Sequence, residues 1–219
     1  KLKSMITMPI RYVAVDLEFV RDELNKKFCI AEICFWDITS NKRIFSSFIR
    51  PEENFLLSRR FQERGITADH LLAAPSMEEL DQFLKFMLPS FMLVFWNEKT
   101  DLARYPNLKK YSFGTRCAMR RFADRYGPYN DDFGDHQFVK LEDAASQAGF
   151  ILETDESFHQ ASTDAQATAF IWEELNKESM PESITMDLVL RDDVYSLLKE
   201  EYSEDEDITD GNETTTLPF

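Results

Sequence analysis

Apolar and polar positions change period several times along the chain, and each change marks an element. Tyr12-Val13-Ala14-Val15 is a short, β-prone apolar run that predicts a buried strand, with Asp16 and Glu18 delivered at its end. A second apolar run over 28–38, the turn-like Thr39-Ser40-Asn41-Lys42 and a third run over 43–49 predict an antiparallel meander with the first. Pro51 ends the third strand, because it has no N–H to give to a ladder. Residues 55–64 carry a helical pattern broken at Gly65-Ile66-Thr67. Ser76-Met77-Glu78-Glu79 then has the spacing of a capping box and predicts a helix to Met87.

The second half alternates differently. Residues 91–96 predict a fourth strand, followed by helices over 98–105, 115–126, 140–148 and 164–176, with Gly149 stopping the third of these. The order β-β-β-α-β-α-α-α implies an α/β fold with a mixed sheet and helices on its faces. We divide the chain into an extension over 1–10, a domain over 11–180, a helical extension over 181–202 and an acidic, disordered tail over 203–219.

Composition narrows this picture. The 219 residues are 43% hydrophobic, enough to bury a substantial core in one domain. There is no apolar run of about 18 residues, and residues 1–10 lack a signal-like apolar stretch, so the expectation is a cytoplasmic protein without a membrane span. Cys29, Cys34 and Cys117 form no CxxC pair and are expected to pack rather than bridge or bind zinc. The net charge of −15 argues against broad attraction to phosphates. Much of it crowds into the C-terminal end, where the acidic tail offers a surface for a protein partner.

Chemistry concentrates in the carboxylates. In a strand, residues i and i+2 share a face, so Asp16 and Glu18 converge on one point, at a Coulombic cost that a divalent cation would offset. Hard oxygen donors select Mg²⁺ or Mn²⁺. Asn97-Glu98-Lys99-Thr100-Asp101 places another acid at the start of a helix, and His159-Gln160-Ala161-Ser162-Thr163-Asp164 places one in a helical first turn with a histidine on the preceding loop. A histidine, with an unperturbed pKa of ~6.5, can accept a proton from water at neutral pH.

Together these segments resemble the DEDDh exonucleases of the DnaQ and RNase T superfamily, in the order Asp-x-Glu, Asn-x-x-x-Asp, His-x-Ala-x-x-Asp-Ala. The resemblance spans residues 11–177 and includes Arg64-Gly65-Ile66-Thr67 and Lys140-Leu141-Glu142-Asp143-Ala144. It implies an RNase H-like mixed sheet of about five strands flanked by helices. It also implies that Asp16, Glu18, Asp101 and Asp164 hold two divalent cations, Mg²⁺ or Mn²⁺, and that His159 deprotonates the attacking water. The expected substrate is the 3′ end of single-stranded DNA or RNA, released as nucleoside 5′-monophosphates, with Leu17, Phe19 and Asn97 meeting the substrate. Asp16 to Arg21 is also similar to the first motif of the RNase D branch, but the tyrosine of that branch would fall at Gln160, which favours the histidine branch.

Departures from the family pattern fall around the nucleotide pocket. Phe19-Val20 stands where small residues or Thr are common, Trp96 replaces a His and Thr100 a Phe. Phe19 is placed either to stack on a base or to pack in the core. Arg104, Lys109, Lys110, Arg116, Arg120, Arg121 and Arg125, interleaved with aromatic residues, fit either single-strand binding or solvated helix faces. His70 and His136 have no carboxylate constellation nearby in sequence and are expected to be ordinary loop histidines. The alternative function is a catalytically silent nucleic-acid-binding or adaptor module of the same fold.

Overall fold

A computed structural model describes residues 10–22, 24, 26–51, 55–153 and 156–177. The helical extension expected over 181–202 and the acidic tail over 203–219 lie outside the described residues, as do residues 1–9.

The sheet is organised around β1 (Arg11–Asp22), which pairs antiparallel with β2 (Phe28–Asp37). β2 in turn pairs antiparallel with β3 (Lys42–Phe48), completing the expected meander. A short β4 (Phe55–Leu56) attaches to the far end of β1, opposite Arg21 and Asp22. The other side of β1 pairs parallel with β5 (Phe91–Phe95), and β5 pairs parallel with β6 (Gly114–Cys117). The main path is therefore β3-β2-β1-β5-β6, a mixed sheet.

Alternation along β1 sorts its side chains between two cores. Val13, Val15 and Leu17 pack with Leu80, Leu84 and Leu88 on one face, while Ala14 packs with Ala167, Ile171 and Trp172 on the other. Asp16 and Glu18 continue the Ala14 face. The first core is roofed by α3 (Met77–Met87), α4 (Glu98–Arg104) and α5 (Asn107–Tyr111), and the second by α6 (Ala118–Tyr126), α7 (Leu141–Ala148) and α8 (Ala161–Asn176). Each fully buried Leu, Ile or Phe contributes about 1.5–3 kcal/mol, so these two faces carry most of the driving force.

Helix α8 lies against β1 and β2 because its sheet-facing side chains are small. Ala161 and Ala165 pack directly on Cys34, and Ala167 and Ala169 are also buried. Cys34 is the register partner of Asp16, so the same contact that seats the helix brings its first turn over the acidic end of β1. The β1–β2 ladder shifts register between Glu18 and Phe19. Glu18 faces Glu32 and Phe19 faces Ile30, leaving Ala31 without a counterpart. The Ala31 carbonyl instead accepts the Ile49 N–H at 2.8 Å.

Some expected elements are corrected. Residues 55–64 were expected to be one helix, but Phe55 and Leu56 pair with β1, and helix occupies only Arg59–Glu63 (α1), followed by a further turn over Ala68–Leu72 (α2). Residues 115–126 were expected to be wholly helical, yet Gly114–Cys117 forms β6. A four-residue strand has too few positions to show a period, and it exists because β5 supplies a ladder for it. Helix α8 starts at Ala161 rather than Asp164, and a small hairpin pairs Tyr129–Asn130 with Asp135–His136.

Two helix boundaries match the reading of the sequence. The Ser76 capping box forms, with Ser76 N–H donating to Glu79 Oε2 at 2.8 Å and Glu79 N–H donating to Ser76 Oγ at 3.3 Å. Gly149 takes the left-handed conformation that closes α7, at φ +85°. The three cysteines are free thiols. Among the described residues no helix is long and apolar enough to cross a membrane.

Candidate active site

Each acidic residue reaches the site for a local reason. Asp16 and Glu18 share the α8 face of β1 by strand alternation. Because β5 runs parallel to β1 with Phe95 beside Val15, the chain leaves β5 next to Asp16. Asn97 then starts α4, its carbonyl accepting the N–H groups of Thr100 and Asp101 at 3.1 and 3.3 Å, and the first turn carries Asp101 back toward β1. Asp164 stands in the first turn of α8, where the helix dipole favours an anion.

Glu18, His159 and Asp164 come together: one donor atom from each lies within 4.8 Å of the others. Asp16 and Asp101 lie outside that tight group but close enough to feel its charge. Burial, reinforced by the charges of Asp164, Glu18 and Asp101, holds the Asp16 carboxyl well above the ordinary carboxylate range. Burial lifts Glu18 to about 7 against the opposing pull of His159, Arg60 and Arg64. Burial and the Glu18 charge lift Asp101 to about 8. A concentration of enclosed, mutually repelling carboxylates is costly without a cation. Asp16 Oδ2 is also enclosed without a hydrogen-bond partner among the described residues. An all-oxygen donor set with such an orphaned atom fits a hard divalent cation.

His159 is held through its backbone as much as its ring. It adopts φ +66°, a left-handed conformation uncommon outside glycine. Its N–H donates to both Asp164 carboxylate oxygens at 3.2 Å each, and its carbonyl accepts from Arg64 Nη1 at 3.5 Å. Its ring Nε2 lies 3.2 Å from Glu142 Oε1 in the first turn of α7. This neighbour holds the Glu142 carboxyl below its usual range.

Arg64 is itself anchored. Its Nη1 and Nη2 donate to Glu32 Oε2 and Oε1 at 2.7 and 3.1 Å, and Glu32 is the register partner of Glu18. Glu32, Arg64 and Glu142 therefore form a shell outside the acidic cluster. The sequence carried only faint signs of it, in the Arg64-Gly65-Ile66-Thr67 turn and the Leu141-Glu142-Asp143-Ala144 segment.

The residues expected to meet substrate are placed unevenly. Leu17 is buried in the core with Val13 and Val15, leaving its backbone as the part beside the cluster. Phe19 is half-buried, packed on the edge of the same core, with the Arg104 guanidinium 5.9 Å from its ring centroid. Asn97 is half-buried, and its side chain makes no cap bond to α4. Trp96 is a core residue against Phe122. His70 accepts the Thr67 N–H at its Nδ1, and His136 stacks edge-on with Tyr129, so neither belongs to the cluster.

No family model and no curated protein matches the sequence. Solved structures do match in fold. A 3′-exonuclease bound to a histone mRNA stem-loop aligns with TM-score 0.52 at 16% identity, covering 76% of this chain and 81% of that one. Exonuclease I of E. coli, in complex with an oligonucleotide, aligns with TM-score 0.51 at 15% identity over 75% of this chain and 40% of that one. The pseudoubiquitin hydrolase and RNA exonuclease module of Saccharomyces cerevisiae Pan2, with AAGGAA RNA, aligns with TM-score 0.55 at 12% identity over 95% of this chain and 35% of that one. The chain has the RNase H-like fold found in these exonucleases.

Proposed function

We propose that the protein is a metal-dependent 3′-to-5′ exonuclease acting on single-stranded nucleic acid. The observation that carries this is the convergence of Glu18, Asp164 and His159 within 4.8 Å, with Asp16 and Asp101 buried near enough to interact electrostatically with Glu18, on a fold shared with 3′-exonucleases.

In this reading Asp16, Glu18, Asp101 and Asp164 would hold two divalent cations, Mg²⁺ or Mn²⁺. When bound, these supply charge neutralisation at the scissile phosphate and stabilise the departing oxygen. His159 accepts the proton of the attacking water. The water oxygen bonds to phosphorus, the bond from phosphorus to the 3′ oxygen breaks, that oxygen takes a proton from solvent to become the new 3′-hydroxyl, and a nucleoside 5′-monophosphate leaves. Asp164 serves twice, since its carboxylate also receives the His159 backbone N–H and so fixes where the base stands. Leu17 through its backbone, with Phe19 and Asn97, borders the terminal nucleotide.

The test is digestion of 5′-labelled single-stranded DNA and RNA with Mg²⁺, Mn²⁺ or EDTA, comparing wild type with His159→Ala. The expected result is a ladder shortening from the 3′ end, abolished by EDTA and reduced about a hundredfold to ten-thousandfold by the substitution. A folded wild type that binds these strands but cleaves neither under any metal would instead establish a silent binding module.

A further inference from the structure

The basic residues that the sequence interleaves with aromatics, from Arg104 to Arg125, differ in what they touch; Arg116 donates to the Thr115 carbonyl at 2.8 Å, and Lys109 lies exposed on α5. Arg120 is neutralised by Asp124 at 3.3 Å and Asp135 at 2.8 Å. Arg125 donates to the Leu175 carbonyl at 3.0 Å, and Arg121 lies over Trp172, both on α8. Lys110 lies over Tyr111 of its own helix.

Arg104 is placed differently. Its guanidinium carbon sits 4.5 Å from the Phe28 ring centroid and 5.9 Å from that of Phe19. Phe19 follows Glu18 along β1 with its side chain on the other face of the sheet, and Arg104 stands one helical turn beyond Asp101 on α4. The cation thus sits on the two elements, β1 and α4, that carry Glu18 and Asp101. The residue is exposed while the rings beneath it are half-buried, and no carboxylate among the described residues lies within ion-pair distance of it.

A guanidinium laid on aromatic faces keeps its N–H donors in its own plane, where they match the oxygens of a phosphate. Holding the fork in place beforehand reduces the entropy lost when an anion binds. The position answers an electrostatic difficulty as well. A phosphodiester strand approaching a chain of net charge −15 needs local cations where its backbone enters, because the total charge repels it.

We propose that Arg104, backed by Phe19 and Phe28, is a binding subsite for a phosphodiester group of the nucleic-acid strand adjoining the scissile one. The inference rests on the nuclease reading for its substrate class. It assigns to one residue a contact that the sequence left spread over seven.

The test measures binding of a fluorescent single-stranded oligonucleotide to full-length His159→Ala protein across a salt series, with and without Arg104→Ala. Loss of one single-strand phosphate contact should flatten the dependence of log K on log salt by about 0.7 and weaken binding about fivefold near 0.1 M salt. Arg104→Lys should keep most of the slope, and Arg120→Ala should leave it unchanged. In the active background Arg104→Ala should raise KM. Equal slopes and equal KM for Arg104→Ala and its parent, with the variant folded by circular dichroism, would overturn the proposal. If the wild type degrades no strand yet the slope still falls with Arg104→Ala, the subsite stands and the nuclease reading fails; an active wild type with an unchanged slope gives the reverse.

Discussion

The ring Nε2 of His159 lies 3.2 Å from Glu142 Oε1, while its backbone N–H is shared between the two oxygens of Asp164. The histidine is gripped from the cluster through its main chain and from α7 through its ring. A carboxylate at one ring nitrogen settles which tautomer is present and therefore where the proton-accepting lone pair points. Glu142→Ala should lower turnover by about tenfold to a hundredfold, with Glu142→Gln in between because its amide oxygen still accepts from the ring. Initial rates on a labelled oligonucleotide give the comparison. In a His159→Ala background the same substitutions should add nothing, an outcome that general damage to the fold would not produce.

The acidic cluster makes stability depend on pH in a set direction. Glu18, at about 7, and Asp101, at about 8, bind protons more tightly in the folded chain than in the unfolded one. Unfolding therefore releases protons above the ordinary carboxylate range, and the unfolding free energy falls as pH rises through those values. Asp37 and Asp81 have lowered values, so their contribution is already complete at that point. In EDTA, the melting temperature should decrease from about pH 5 to about pH 8. Mn²⁺ should raise it, and more at the upper end, because the carboxylates must lose their protons to bind it. A melting temperature that climbs over this interval without metal would contradict the account of the cluster.

The Glu32–Arg64 pair lies just outside the cluster, with side chains only 6% and 15% exposed. Removing one partner of such a pair leaves a buried charge uncompensated, so Arg64→Met should cost about 3–5 kcal/mol in urea unfolding. Adding Glu32→Gln should recover part of that loss, since the uncompensated charge is gone. Failure of the double variant to recover any stability would place the cost in the lost contact with the His159 carbonyl instead.

Asp81 fastens the opposite face. It accepts hydrogen bonds from Tyr105 Oη at 2.6 Å, Asn107 Nδ2 at 2.8 Å and Tyr111 Oη at 2.6 Å, joining α3 to the chain that follows Asp101. These donors hold its carboxyl below the usual range. Its stabilisation is present above the ordinary carboxylate range and is lost as pH falls through the lowered value. Asp81→Ala should destabilise the protein by about 1–3 kcal/mol at neutral pH, measured by denaturant titration.

The parts of the fold that were legible in the sequence are those set by neighbours along the chain. Strand alternation placed Asp16 and Glu18 together, the Ser76 and Glu79 spacing fixed a helix start, and Gly149 fixed a helix end. Elements made by distant partners were not legible. β6 borrows its ladder from β5, and Phe55–Leu56 is extended because Arg21 and Asp22 lie beside it. The same division holds at the site. The acids and His159 fall in short motifs, whereas Glu32 and Arg64 meet across 32 positions, and nothing near either one in sequence announces the other.

The unmatched Ala31 sets a counting rule for β2. On one side of it Glu32 faces Glu18 beside the carboxylates, and on the other Phe28 faces Arg21 and reaches under Arg104. With the extra residue absorbed at Ala31, Glu32 keeps to the Glu18 face while Ile30 and Phe28 share the other face with Phe19 and Arg21. Strict alternation from Glu32 without the bulge would put Phe28 on the Glu18 face instead. One unpaired residue is therefore what lets a single strand serve the carboxylates on one side of the sheet and Arg104 on the other.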